Sequence, residues 1–546
     1  MNSFDFDVKV QEAFNASFSN IKSVSWRDWL EIRSKEEYEE LALNLSGLSS
    51  VEDIIEKVKI ETTSSSHFSI DLKKFLDRTD DFSPLIFCHT SGTTNSNLSM
   101  LKWFYMAHDI VKRQWAPGMQ AIFESSGLNS RSSAIIFVPS RLKFDGFNKY
   151  EDKEYVSLYS SEFSQRIMLS IIKPQSYSFY EYKNSKNLEI LSNILMIENV
   201  SVISAPAITI LGWADINRLK IGLKSSLNSI KQTDNPLTEK FLLDIKKKGI
   251  DSISKDIQKR LSEKIRNATL IFSISSLSEF DWKLIRKLMN WEKGQEKFIN
   301  LYVASEIGPF AASINEGDFT LSRLNRMYIF PLTLPVLEYK GRKALISRTK
   351  NEFGKLYVSR LNNSRVLINI DMGDVISIKN QEGLPQIDGT ILRSTFELKY
   401  PIKLLKEIDI KSYYKVFAGD YFNFPDFEII NPRLLLNCLK ENCILNIDSL
   451  LLVNYKNSVK NSLKLFLYSN KEKNCSDLNS YKKVLLECIR NENFKEAILN
   501  NDIEIELIKN NPVDFLATRS EMLEKVRSGK NPKGVLKKWP LYVLEA

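Results

Sequence analysis

Apolar positions along this chain fall into two rhythms. Between residue 84 and about residue 390 there are short apolar runs: "PLIFC", "SAIIFVPS", "VSVISAP", "ATLIFSIS", "FINLYVAS" and "GKLYVSRL". Runs of this length, bounded by Ser, Pro and Asn, read as buried strands. Longer amphipathic stretches lie between several of them, such as "WKLIRKLMNWEKGQEKF" after "LIFSIS". That alternation predicts an α/β architecture with helices covering the sheets. In open α/β sheets, ligands bind where strands end and loops begin. The first ~80 residues read as polar and helical. "SKEEYEELALNLSGL" sets Leu41, Leu43 and Leu45 among acidic residues, "SVEDIIEKVKIE" opens on a Ser cap followed by acids, and "ETTSSSHFS" reads as a loop. Beyond about residue 395 the texture shifts to Lys-rich "FELKYPIKLLKEIDIKSYYKVF". Strand-like "SLLLVNYK" and "SLKLFLYS", helical "SYKKVLLECIRNENFKEAIL" and strand-like "DIEIELIK" follow. The expected fold is a large N-terminal multi-sheet α/β domain, residues 1–393, and a smaller C-terminal α+β domain, residues 394–546.

Length and composition narrow the class. At one domain per ~150 residues, 546 residues make two to four units. Hydrophobic content of 43% with 26% charged residues fits a globular chain. Every apolar run falls short of the ~20 residues of a membrane helix, so no membrane partner is expected. "MNSFDFDVKV" has no basic segment followed by an apolar one, which predicts no secretory signal and a cytoplasmic location. The five cysteines, Cys88, Cys438, Cys443, Cys475 and Cys488, are odd in number and scattered, which argues against a disulfide framework. With no C-x-x-C pair and no metal-type spacing of His67, His89 and His108, no structural zinc is expected. Catalysis by Cys88 and His89 is disfavoured because neighbouring side chains point apart. The net charge of +9 suits nucleic acid and a polyphosphate ligand equally. Basic residues are not interleaved with aromatics, so nucleic acid is not the expected partner.

Five segments carry candidate chemistry. "CHTSGTTNSN" follows a strand-like run; its small residues let backbone N–H groups approach an oxyanion, and its hydroxyls add donors. It lacks the Walker pattern, and its residues also suit an ordinary turn. "YVASEIG", Tyr302 to Gly308, sets Glu306 at a strand end, where a carboxylate serves a hard cation or a helix start. "INIDMGDVISI" holds Asp374, which either accepts two hydrogen bonds from a vicinal diol or sits in a Gly-Asp hairpin turn. "DGTILRSTFELKY" supplies Arg393 and Lys399, and "YFNFPDFEIINPRLL" supplies Glu428. The tail "TRSEMLEKVRSGKNPKGVLKKWPL" offers Lys530 and Lys533, mobile point charges for a phosphoryl centre or a solvated basic end.

In this order and spacing, the segments resemble the adenylate-forming superfamily of acyl-CoA synthetases, peptide-synthetase adenylation domains and luciferases. The texture is nearest the phenylacetate-CoA ligase and acyl-protein synthetase branch. The resemblance runs from Thr90 to Lys530. It implies that Thr90, Ser91, Gly92, Thr93 and Thr94 cradle ATP phosphates, that Tyr302 lies against adenine, and that Ser305 contacts phosphate. It further implies that Glu306 helps hold Mg²⁺, that Asp374 binds both ribose hydroxyls, and that Arg393 stands at a hinge to a mobile C-terminal domain, with Lys399 a second hinge candidate. Lys530 or Lys533 reaches the carboxylate and the α-phosphate. The pattern departs from the family at Asn95-Ser96-Asn97 (usually Gly, then Lys), at Asn369 (Tyr or Phe) and at Met372 (Thr). "VPSRLKFDG" lacks the His that many acyl-CoA synthetases carry there. The implied activity is ATP- and Mg²⁺-dependent activation of a small carboxylic acid to an acyl-adenylate with release of pyrophosphate. Transfer to a thiol follows, with coenzyme A as the expected co-substrate and a separate carrier protein as the alternative acceptor. The rival from another class is a catalytically degenerate binding protein on the same fold.

Overall fold

The computed structural model describes residues 3–18, 43, 48–60, 85–89, 103–105, 111, 116–125, 129–141, 145–228, 230, 233–273, 277, 279–304, 307–313, 326–330, 333–361, 366–381, 384–388, 391–397, 415–442, 450–456, 461–468, 478–508 and 539–545. The chain divides into two compact units. The larger holds most of the chain up to Ile391; the smaller is built on Leu392–Ala546 together with Gly373–Val375.

In the larger unit, five parallel strands stand side by side in the order Ser176–Glu181, Ser133–Val138, Val200–Ser204, Thr269–Ser273 and Phe298–Ala304. Ser133–Val138 is buried along its whole length, as a strand covered on both faces must be, which is why it reads as an unbroken apolar run. The same sheet continues through Gly308–Ala312, Arg326–Ile329, Leu384–Asp388, Val366–Gln381, Asn351–Leu361, Leu334–Tyr339 and Arg342–Leu345. A second sheet has four strands in the order Trp103–Tyr105, Leu85–His89, Lys153–Tyr159 and Gly146–Tyr150.

Helices between the parallel strands start where a side chain takes over orphan backbone donors. Asn187, Asp215 and Asn235 accept from the first N–H groups of Leu188–Met196, Ile216–Leu227 and Pro236–Lys248. Trp213, Ile257, Leu261 and Ile285 form the core beneath them. The amphipathic stretch after Trp282 is helical only as far as Met289; Asn290 and Gly294 take positive φ, which turns the chain toward the next strand.

Helix Ser3–Phe18 packs on helix Ser160–Ile172 through Phe14, which meets Phe163 edge-on at 5.4 Å. A buried ionic cluster adds to this contact. Arg166 and Glu162 side chains are both 0% exposed and 2.7 Å apart. Asp7 on the first helix accepts from Arg166 and from Arg141, each at 2.5 Å, and Arg141 also reaches Glu162 at 2.7 Å.

The smaller unit is a six-stranded sheet in the order Phe396–Glu397, Lys415–Gly419, Leu541–Glu545, Leu450–Lys456, Asn461–Tyr468 and Ile503–Ile508, with helices Pro432–Asn442, Leu478–Cys488 and Glu492–Leu499. The single helical run expected over "SYKKVLLECIRNENFKEAIL" is two helices, because Asn491 accepts from the Phe494 N–H and starts the second. One cysteine expectation is corrected here. Cys438 and Cys488 form a disulfide with a Cα–Cα separation of 5.7 Å and 50 residues between them in sequence. Spacing along the chain does not reveal such a pair; its halves meet because their helices pack. No described helix is long and apolar enough to cross a membrane.

Candidate active site

Two of the sequence-derived site residues meet in one corner. Asp374 lies in the long strand Val366–Gln381, immediately after Gly373. The short strand Leu392–Arg393 pairs with it antiparallel, Asp374 opposite Arg393 and Val375 opposite Leu392. Nη1 of Arg393 donates to Oδ1 of Asp374 at 3.1 Å, with 28% and 13% of the two side chains exposed. A carboxylate held this way keeps acceptor capacity on its second oxygen.

Gly373 is what allows the guanidinium to lie so close. Its φ is +65°, and a Cβ built on it would stand 2.7 Å from Cζ of Arg393. The Gly373 carbonyl accepts from both the N–H and the hydroxyl of Ser394, each at 2.9 Å. On the other side, Gly419 brings a backbone up to the same peptide: a Cβ there would be 3.0 Å from the carbonyl oxygens of Arg393 and Ser394. Asp420 follows. Its N–H donates to the Arg393 carbonyl at 2.8 Å, and its Oδ2 accepts from the Arg393 N–H at 3.4 Å. Thr395 donates to the Tyr421 carbonyl at 2.6 Å, and the Tyr421 hydroxyl donates to Glu428 at 2.8 Å. Glu428, singled out for its place before a helix, therefore braces this segment. Asp420 and Gly419 were missed in the sequence; the signal available was a Gly-Asp dipeptide like Gly373-Asp374, one of three in the chain.

The other candidates are distributed differently. Tyr302 is 1% exposed, and its ring meets Phe310 edge-on at 5.3 Å inside the core. Thr90, Ser91, Gly92, Thr93, Thr94, Ser305, Glu306, Lys399, Lys530 and Lys533 lie outside the described residues. The strand leading to Thr90 is described and ends on a buried polar pair. His89 Nε2 is 2.7 Å from Oδ1 of Asp145, with both side chains 0% exposed. Ser157 donates to that same oxygen at 3.3 Å, so Ser, His and Asp do not form a nucleophile-base-acid relay. Cys88 is buried and lies outside the disulfide. Among the described residues there is no group of three His, Cys, Asp or Glu side chains able to hold a metal ion.

Two departures from the family pattern have local causes. Asn369 sits at φ +49°, a conformation Asn tolerates and an aromatic residue resists, and its amide donates to the Ile54 carbonyl in helix Val51–Ile60. Met372 is 6% exposed and fills the core beside Ile370 and Ile376.

No family model matches the chain, and no curated protein sequence matches it. Solved structures do resemble it. One is a 2-hydroxyisobutyryl-CoA ligase in its postadenylation state, 12% identical, covering 96% of this chain and 93% of that one, with a TM-score of 0.47. Another is an acyl acid amido synthetase in complex with 2,4-DB, 14% identical, covering 98% and 96%, with a TM-score of 0.49. A third is the amide bond synthetase McbA from Marinactinospora thermotolerans, 9% identical, covering 78% and 65%, with a TM-score of 0.37.

Proposed function

We propose that this chain is an adenylate-forming acid ligase that activates a small carboxylic acid with ATP. The observation that carries the reading is the Asp374–Arg393 corner. Two residues singled out separately, 19 apart in sequence, are joined by one strand pairing into a carboxylate and guanidinium 3.1 Å apart. A glycine that no larger residue replaces without a clash makes room for them. The donor set fits a ribose: the carboxylate accepts from two neighbouring hydroxyls, and the guanidinium fixes its position.

In the reaction, a carboxylate oxygen of the acid attacks the α-phosphorus of ATP and pyrophosphate leaves. Asp374 anchors the ribose, and Arg393 holds Asp374 in place. Thr90 to Thr94 present backbone N–H and hydroxyl donors to the phosphates, and Ser305 adds one more. Lys530 or Lys533 neutralises charge building on the α-phosphate. Glu306 would hold Mg²⁺, which would supply charge compensation for the phosphates. The protein's work is positioning and electrostatics, the terms on which phosphoryl chemistry depends. Coenzyme A is the proposed acceptor of the acyl group, with a carrier-protein thiol or an amine as the alternatives. The second reading, a catalytically degenerate binding protein on the same fold, draws on the burial of the Tyr302 ring, which is 1% exposed.

Trapping of the activated acid by hydroxylamine tests the proposal. Across a panel of aryl and aliphatic acids, one class forms a hydroxamate with ATP and Mg²⁺, and Lys530→Ala or Lys533→Ala abolishes it. ATP binding with no hydroxamate from any acid establishes the second reading. Addition of coenzyme A in place of hydroxylamine then identifies the acceptor.

A further inference from the structure

Arg393 has a long side chain with many rotamers, so its value at a ribose depends on what fixes its backbone. Both polar groups of that backbone meet one residue. The Asp420 N–H donates to the Arg393 carbonyl at 2.8 Å, and the Asp420 carboxylate accepts from the Arg393 N–H at 3.4 Å. Asp420 is itself tied down. Its carbonyl accepts from the Asn431 N–H at 2.8 Å, and its second carboxylate oxygen faces Arg433 at 3.8 Å. The Asp420 side chain is 16% exposed, so these contacts are largely shielded from water. Gly419, in the strand Lys415–Gly419, lets this segment approach the Arg393–Ser394 peptide to a distance that a side chain would obstruct.

We propose that Asp420 is a positioning residue for ribose recognition: it clamps the Arg393 peptide, so that the guanidinium stays over Gly373 and against Asp374. The inference rests on the reading of Asp374 and Arg393 as the ribose site. It adds a residue that touches no nucleotide and acts only through Arg393. An acidic side chain is needed because a carboxylate accepts from the Arg393 N–H while its other oxygen faces Arg433. An amide at the same position keeps one acceptor and gives up the charge.

The test compares ATP with 3′-deoxy-ATP in the full chain, using pyrophosphate release with the acid found by the hydroxamate assay. Wild type prefers ATP by about tenfold or more, the effect of losing one hydroxyl bonded to a charged group. Asp420→Ala raises KM for ATP by about tenfold with a smaller change in kcat, and its preference for ATP over the deoxy analogue collapses toward one. Asp420→Asn keeps part of the preference. A residue that only stabilised the unit would lower the melting temperature and leave that preference intact. Unchanged discrimination in both variants therefore overturns the proposal, as does a wild type that does not distinguish the two nucleotides. If Asp420→Ala does not fold, Asp420→Asn decides on the same readout. A wild type that uses both nucleotides equally removes the ribose reading itself and the proposal with it.

Discussion

Gly373 shows how much of the candidate site depends on a missing atom. Its φ of +65° is one cost to any other residue, and the Arg393 guanidinium 2.7 Å from a built Cβ is a second. Gly341 isolates the first, since it has φ +78° with nothing within 4 Å of its Cβ. Both Gly→Ala variants are expected to lose about 1–3 kcal/mol from backbone strain. Only Gly373→Ala also pushes the guanidinium off Asp374, so only that variant weakens ATP binding. Titration calorimetry beside thermal unfolding separates the two effects. At this scale the sequence was partly readable. Asp374 and Arg393 were singled out through the resemblance of their strings to a family pattern, since Asp374 by itself reads equally as part of a hairpin turn. The register that joins them is a tertiary fact, and Asp420 carries no local mark apart from the glycine before it.

Between elements, the contact of helix Ser3–Phe18 with helix Ser160–Ile172 carries the clearest electrostatic signature. Burial pushes the Glu162 carboxyl up, but Arg166 and Arg141 outweigh it and leave its pKa below the ordinary 4.5. A carboxylate depressed in the folded chain contributes stability above its unfolded pKa and loses it as pH falls through the lower folded value. Glu162→Gln leaves the fully buried Arg166 without its carboxylate partner on the same helix. The expected cost at neutral pH is about 3–5 kcal/mol. The variant's urea midpoint should then fall less steeply than wild type's as pH drops below 4.5. Parallel midpoint curves for the two proteins would contradict this. The strand and helix runs of the α/β part were legible because burial on both faces writes an unbroken apolar run. The ionic cluster was not: Asp7, Arg141, Glu162 and Arg166 are ordinary surface residue types until packing closes over them. The boundary at Asn491 was blurred for a simpler reason, since apolar spacing continues across the break.

For the molecule as a whole, alternation of strand-like and helix-like runs predicted a mixed α/β fold with several sheets, and the sheets are there. The antiparallel extension from Gly308–Ala312 to Arg342–Leu345 was visible only in part: "GKLYVSRL" reads as a strand, whereas Arg326–Ile329 and Arg342–Leu345 have four residues each and mix polar with apolar. The closing strand Leu541–Glu545 was hidden inside a tail read for its lysines. It runs between Leu450–Lys456 and Lys415–Gly419 in the smaller sheet. The disulfide joining Cys438 and Cys488 belongs to the same group, set by helix packing rather than by spacing. We propose that this chain forms an acyl-adenylate with ATP held at the Asp374–Arg393 corner. Exchange of labelled pyrophosphate into ATP tests it most directly. The prediction is exchange that requires a carboxylic acid and falls by about 100-fold or more in Asp374→Ala. Exchange absent with every acid, or undiminished in Asp374→Ala, would contradict it.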